Sequence, residues 1–471
     1  MPQTVEVDEV IPSARRLIKS LRDVGYNFTT AVADIVDNSI EAEATQIDIR
    51  VEFDGEDSWV RIADNGRGMT EEELLEAMRY GSEREYSEEN LGKFGLGLKT
   101  ASLSQCRRLT VASRNNSSSM NLVARCWDLE HIERENRWEV IRLNGTELEP
   151  GITEPLRGNA GTVVLWERLD RILGYKHPYG EPARKRLLTM CRELEEHLGM
   201  VFHRFLMGVE GSRVRMTVND NEVQPWDPFA LNEPETRVLP RTEIQLEYAG
   251  IRGTILFEPY ILPHKDDFTS PDAFKQASGP NNWNQQQGFY IYRAGRLVQS
   301  GGWCRLRTLD EHTKLARIAL RFSPALDEAF KINVAKMHVQ LPGQIKEEVK
   351  KLLEPTLKIA QETYRRTSST PRPGQVYRPL QNAGSLPREI RAVNSGRSTP
   401  GMPIKTTSSV IPVPQQVEVQ TGGSRTSGDR YWTLDELYEI LISLAEPEEF
   451  PIIEGVFERL RSSLNTSRDE R

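Results

Sequence analysis

Three short segments limit the fold of this chain more than any other feature: Asp34-Ile35-Val36-Asp37-Asn38-Ser39-Ile40-Glu41-Ala42, Asp64-Asn65-Gly66-Arg67-Gly68-Met69, and Gly92-Lys93-Phe94-Gly95-Leu96-Gly97-Leu98-Lys99-Thr100. In the first, Asp34, Asp37, Asn38 and Glu41 recur at helical spacing and share one face, with Val32, Ile35, Val36 and Ile40 on the other. Taken alone, such a stripe also fits a solvated helix face. In the second, Asp-Asn-Gly alone reads as a hairpin turn. A turn does not need the second glycine, and Gly66 with Gly68 permits close backbone approach to a ligand. In the third, repeated glycines offer N–H groups that wrap a phosphate ahead of a helix start near Leu98. The spacing is not that of a Walker A loop, and Thr100 stands where a dinucleotide fingerprint has its third glycine.

Order and spacing together, followed by Gly161-Thr162, resemble the GHKL-type ATP site. That is the family of gyrase B, the ninety-kilodalton heat-shock chaperones, MutL and the MORC proteins. The resemblance implies a Bergerat-type α/β fold, an α+β two-layer sandwich that binds ATP with Mg²⁺. It makes Asn38 the metal ligand, and one Asn carbonyl suffices when the triphosphate supplies further oxygens. It makes Asp64 the acceptor of the adenine amino hydrogen, sharing a water with Thr162, and places Gly66, Gly68 and Met69 at the base. Gly92, Lys93, Phe94, Gly95, Leu96, Gly97, Leu98 and Lys99 are assigned to the phosphates. Most of the family has a Glu four residues before the Asn; here Asp34 stands there, one methylene shorter. As a general base it must reach its water, so the backbone compensates, hydrolysis is slow, or the chain is a binding switch. Should Asp34 not be the base, Glu41 and Asp37 share its face. Residues 70–93 correspond to the ATP lid. Lys336 in Asn333-Val334-Ala335-Lys336-Met337 resembles the transducer lysine that reaches the γ-phosphate, with Lys346 and Lys331 as weaker alternatives and a plain surface lysine as the other reading.

Periodicity predicts helices over residues 12–25 and from Phe28 to Glu43, strands at Gln46–Val51 and Trp59–Ile62, and a helix opened by a capping box at Thr70 and running through Met78. Strand-like stretches recur at 107–114, 120–128, 137–143 and 161–167. A long amphipathic helix over 181–208 closes a first domain, residues 1–210, built as one sheet under one helical layer. A second, transducer-like α/β domain spans 211–366, opening at Val214 and ending in a helix from Ile345 to Arg366 with a kink expected at Pro355. Residues 367–429, rich in Pro, Ser, Thr and Gly and with Lys and Arg outnumbering acids, read as a disordered basic linker. Residues 430–466 read as a helical hairpin too small to hold a core, which implies docking on a partner protein.

No run of about eighteen apolar residues marks a membrane span, and the N-terminus lacks the pattern of a signal peptide, so a cytoplasmic protein is expected. Cys106, Cys126, Cys191 and Cys304 show no metal-ligand or redox spacing, which fits a reducing compartment. The net charge of −8 excludes a wholly basic nucleic-acid-binding protein but not a local basic tether for double-stranded DNA. The phrases Phe94–Ser102 and Gly288–Val298 look closest to MORC-like ATPases, including prokaryotic ones associated with DNA modification and defence. The resemblance thus implies an ATPase acting as an ATP-gated, homodimeric clamp or remodelling subunit associated with DNA. The alternatives are a chaperone-like ATPase, for which no apolar client surface is evident, and a nucleotide switch. The short stretch before the first helix argues against a histidine kinase, and the little that follows residue 365 against a topoisomerase.

Overall fold

The computed structural model describes residues 11–23, 25–81, 97–116, 121–144, 148–174, 177–332 and 339–366. The linker over 367–429 and the hairpin over 430–466 lie outside the described residues.

The first sheet arises from strands whose alternate residues are apolar on the helix-facing side. Its members are β1 (Gln46–Glu52), β2 (Trp59–Asp64), β3 (Arg108–Arg114), β4 (Leu122–Asp128), β5 (Ile141–Leu143), β6 (Gly161–Glu167), β7 (Arg215–Val218) and β8 (Asn221–Glu222), in the spatial order β5-β4-β3-β6-β2-β1-β7-β8. Neighbours are antiparallel except β1 and β7, which run parallel with Ile47 opposite Met216. Ile47, Ile49, Val60, Ile62, Val111, Val164 and Trp166 face a helical layer. That layer comprises α1 (Ala14–Leu21), α2 (Phe28–Glu41), α3 (Glu71–Met78), α4 (Gly97–Leu103), α5 (Leu129–Glu135) and, beyond the short α6 (Pro150–Thr153), α7 (Glu181–Val201). Ile18, Val32, Ile35, Leu74, Leu103, Ile132, Leu194 and Leu198 are its buried contributions, each stabilising by about 1.5–3 kcal/mol. On the opposite face the smaller Ala63, Ala112, Ala124 and Val163 pack under Leu148, Ile152 and Leu156 around α6.

The Thr70 capping box forms, with the Thr70 hydroxyl accepting from Glu73 N and the Glu73 carboxylate accepting from Thr70 N. Helix 181–208 is corrected: α7 stops at Val201, Phe202 leaves helical geometry, and the turn α8 (His203–Leu206) follows. The first sheet also reaches past residue 210. Val214, Met216, Val218 and Val223 lie in the first core because β7 extends that sheet beside β1, a long-range pairing invisible to local periodicity.

The second sheet contains β9 (Arg237–Val238), β10 (Thr242–Tyr248), β11 (Ile251–Ile261), β12 (Gly288–Arg293), β13 (Arg296–Ser300) and β14 (Ala316–Phe322), ordered β10-β11-β14-β12-β13 with β9 beside β11. An excursion holding α9 (Pro271–Ala277) and α10 (Asn282–Gln285) precedes β12. The fully buried Arg317 ties this excursion down by donating to Pro228 O and Ala277 O among the rings of Trp226, Trp283 and Tyr290. One face of the sheet packs on α11 (Lys346–Tyr364) through Val349, Leu353 and Ala360, and the helix continues through Pro355. The other carries Phe229, Tyr290, Tyr292 and Leu297 against Met200 of α7, which docks the second sheet onto the first domain. A chain ended at residue 210 therefore exposes the β1 edge; it is expected to melt at a lower temperature than one ended at residue 224, and equal thermal midpoints by circular dichroism would favour a boundary at 210.

Candidate nucleotide site

Helix α2 starts from a reciprocal cap in which Asn27 accepts from Thr30 N at 2.9 Å and Thr30 Oγ1 accepts from Asn27 N. Its polar stripe is not a solvated face. Asp34 is 3% and Asp37 1% exposed, whereas Asn38, one position on, is exposed. Burying two carboxylates one turn apart is costly unless each is partnered. The Tyr26 hydroxyl donates to Asp34 Oδ2 at 2.6 Å, and its own pKa is driven up by burial and then by the Asp34 charge. Arg296, the first residue of β13, places Nε 2.9 Å from Asp37 Oδ1 and Nη2 3.9 Å from Asp34 Oδ1. The Nε–H does not point along its short contact, so this is a charge contact rather than an aligned hydrogen bond. A Cβ on Gly97 would stand 3.1 Å from Asp34 Oδ2, so the glycine lets α4 begin against the carboxylate.

The second cluster forms where α2 meets the end of β2. Asp64 Oδ1 accepts from Gly66 N at 2.9 Å and Oδ2 from the Ser39 hydroxyl at 2.9 Å, and the Thr162 backbone N–H adds a weaker third contact. Burial raises the Asp64 pKa, and these three donors pull it back. A carboxylate has about four acceptor positions, so one remains for an external N–H donor. Ser113 stitches the surroundings together: its hydroxyl accepts from Met69 N at 2.8 Å, donates to Gly161 O at 2.9 Å and lies 3.0 Å from Thr162 Oγ1. Sequence reading missed Ser39 and Ser113, although Ser39 follows Asn38 directly.

The glycines serve the protein's own packing. A Cβ on Gly66 would meet Ala42 O at 2.7 Å, and one on Gly68, at φ +67°, would meet Arg114 O at 1.9 Å. The close backbone approach that these glycines allow is therefore to α2 and β3. Asn38 has no hydrogen-bond partner for its carboxamide among the described residues, which fits an oxygen ligand for Mg²⁺. The described residues contain no cluster of three His, Cys, Asp or Glu side chains able to hold a metal by themselves.

Gly92 to Leu96 and Lys336 lie outside the described residues, while Gly97 and Leu98 open α4. Lys331 and Lys346 are exposed, and among the described residues Arg296 is a second-domain cation that reaches α2. Of the lid span 70–93, the described part is anchored: Leu74 and Met78 are buried, Trp127 Nε1 donates to Met78 O, and Glu71 pairs with Arg125 and Arg142. Lys99, 2% exposed, donates to Ala77 O at 2.9 Å and so ties α4 to the end of α3.

Residues 26–162 match the family model described as "Histidine kinase-, DNA gyrase B-, and HSP90-like ATPase". That segment resembles the ATP-binding domain of the GHKL ATPases. Among its relatives, the DNA mismatch repair protein MutL of Thermotoga maritima is 25% identical over 357 residues, 73% of this chain and 61% of that protein. MutL of Thermosipho africanus is 33% identical over 100 residues, 20% of this chain and 17% of that protein. MutL of Histophilus somni is 25% identical over 213 residues, 44% of this chain and 30% of that protein. The chain thus spans well under two thirds of the length of these relatives. The GHKL sandwich is the eight-stranded sheet and its helical layer. Among the described residues no helix is long and apolar enough to cross a membrane.

Burial pushes the Lys99 amine down from 10.5 to about 8, partly opposed by Glu76. Below about pH 8 both folded and unfolded chains hold this proton; between about 8 and 10.5 only the unfolded chain does, so stability rises with pH across that window. Relative to Lys99→Met, the wild type is expected to gain about 1–3 kcal/mol over this range in urea unfolding, and parallel stability curves would contradict the burial of a charged amine.

Proposed function

We propose that this chain binds Mg-ATP between α2 and the Asp64 turn and hydrolyses it as an ATP-gated, dimerising clamp or remodelling subunit associated with DNA. The observation that carries the reading is Asp64, held by Ser39 and Gly66 with an acceptor position to spare, beside an exposed Asn38 on the helix of Ser39 whose carboxamide has no partner among the described residues. Asp64 accepts the adenine amino hydrogen, Thr162 shares the water, and Asn38 turns its carbonyl to the metal. When bound, Mg²⁺ screens the triphosphate charge and orients the terminal phosphate. Gly66, Gly68 and Met69 shape the base pocket, and the segment from Gly92 through Lys99 surrounds the phosphates. Lys336 is assigned to the γ-phosphate from the second domain.

Asp34 acts as the general base, oriented by the Tyr26 hydroxyl at 2.6 Å. Its shorter side chain is met by the close start of α4 at Gly97, which narrows the distance that a Glu would otherwise span. The same contacts favour a second reading, a nucleotide switch with slow turnover, because Tyr26 and Arg296 already engage the carboxylate. DNA association is supported by the mismatch-repair relatives and by the basic linker composition over 367–429. The finer MORC-like and defence-system comparison rests on the sequence phrases alone.

Asn38→Ala and Asp64→Asn are each expected to weaken Mg-ATP binding by about 1.5–3 kcal/mol in calorimetry, and unchanged affinity in both would remove the site assignment. Asp34→Ala should leave binding intact and reduce radiolabelled ATP turnover by about 10²–10⁴-fold, with double-stranded DNA raising wild-type turnover. Turnover in Asp34→Ala equal to that of wild type would transfer the base role to Glu41 or Asp37.

A further inference from the structure

We propose that Arg296 is the positioning residue through which the second domain controls the Asp34–Asp37 face of α2, an inference that rests on the ATPase reading above. The two carboxylates lie one helical turn apart inside the protein, and Arg296 is the described cation that contacts both. A planar guanidinium spans two carboxylates as a compact ammonium does not. Its placement is rigid. Ala294 and Gly295 take positive φ values of +45° and +79° to make the tight turn between β12 and β13, and a Cβ on Gly295 would meet Glu210 Cγ at 2.6 Å. One residue before the turn, Arg293 grips Asp327 with two hydrogen bonds of 2.8 and 2.9 Å, both side chains buried. Arg296 then passes α7, its guanidinium carbon 5.8 Å from the Phe202 ring, and its charge, after burial, helps to keep the His197 imidazole neutral.

The contact is also incomplete. Among the described residues neither Nε nor Nη1 of the buried guanidinium has an aligned hydrogen-bond acceptor. Undocking the second sheet removes Arg296 from α2 altogether. Docking therefore decides whether Asp34 is held in its working position, and the second domain regulates turnover without touching the adenine or metal contacts at Asp64 and Asn38.

The test uses the full-length chain as wild type, Arg296→Met and Arg296→Lys, with kcat and KM for ATP measured beside calorimetric Kd. Arg296→Met is expected to lower kcat by about 10–100-fold, as misplacement of a catalytic group does, while Kd stays within about twofold. Arg296→Lys should fall between the two, because its ammonium engages one carboxylate. Wild-type kcat in a folded Arg296→Met protein overturns the proposal, as does a loss confined to Kd. Thermal midpoints supply a second readout in case the single variant is too unstable to assay. Asp37→Asn introduced into Arg296→Met is expected to recover part of the lost midpoint, since it removes one of the two carboxylates that Arg296 contacts; strictly additive losses overturn the contact. Failure of wild type to bind Mg-ATP removes the ATPase reading by itself, and the proposed control of turnover with it, while the midpoint cycle still decides the contact.

Discussion

Two buried carboxylates, Asp34 and Asp37, set the terms for the rest of this molecule. Charges in a protein core persist only where other groups are brought to them. Among the described residues, Tyr26 from just before α2 and Arg296 from the second sheet reach them, and the glycine start of α4 makes room. The apolar residues on the other side of α2, Val32, Ile35 and Val36, fix it to the sheet and thereby fix where the carboxylates lie. The nucleotide site and the docking of the second domain thus share one helix.

A second constraint operates at the Asp64 turn. Ser39 from α2 and Gly66 from the turn bond opposite oxygens of one carboxylate, while Ser113 links Met69, Gly161 and Thr162. Recognition of a base edge needs acceptors held in place before the ligand arrives, and this network supplies that preorganisation. On the far side, the anchoring of α3 by Leu74, Met78 and Trp127 and its tie to Lys99 make residues 70–81 part of the frame.

Much of this was legible in the residue order because it is local. The polar stripe on α2, the capping box at Thr70 and the strand from Gly161 to Glu167 all depend on neighbours within a turn or a strand length. What escaped depends on distant pairing. The stretch at Val214 has the alternation of a strand, but nothing in it states that its partner is β1. The same holds for Arg296. Its phrase stood out in the sequence, yet only the β12–β13 turn and the packing on α7 bring it to α2. Gly66 and Gly68 were readable as places that tolerate close approach; that the approaching groups are Ala42 O and Arg114 O was not.

Calorimetric titration of the wild-type chain with Mg-ATP and, in parallel, Mg-GTP tests the central claim most directly. Asp64 offers an acceptor, which suits the amino group of adenine and opposes the carbonyl that guanine carries at the same ring position. One ATP per chain is expected, bound about tenfold or more tighter than GTP. No heat of binding, or equal affinity for the two nucleotides, would contradict the account.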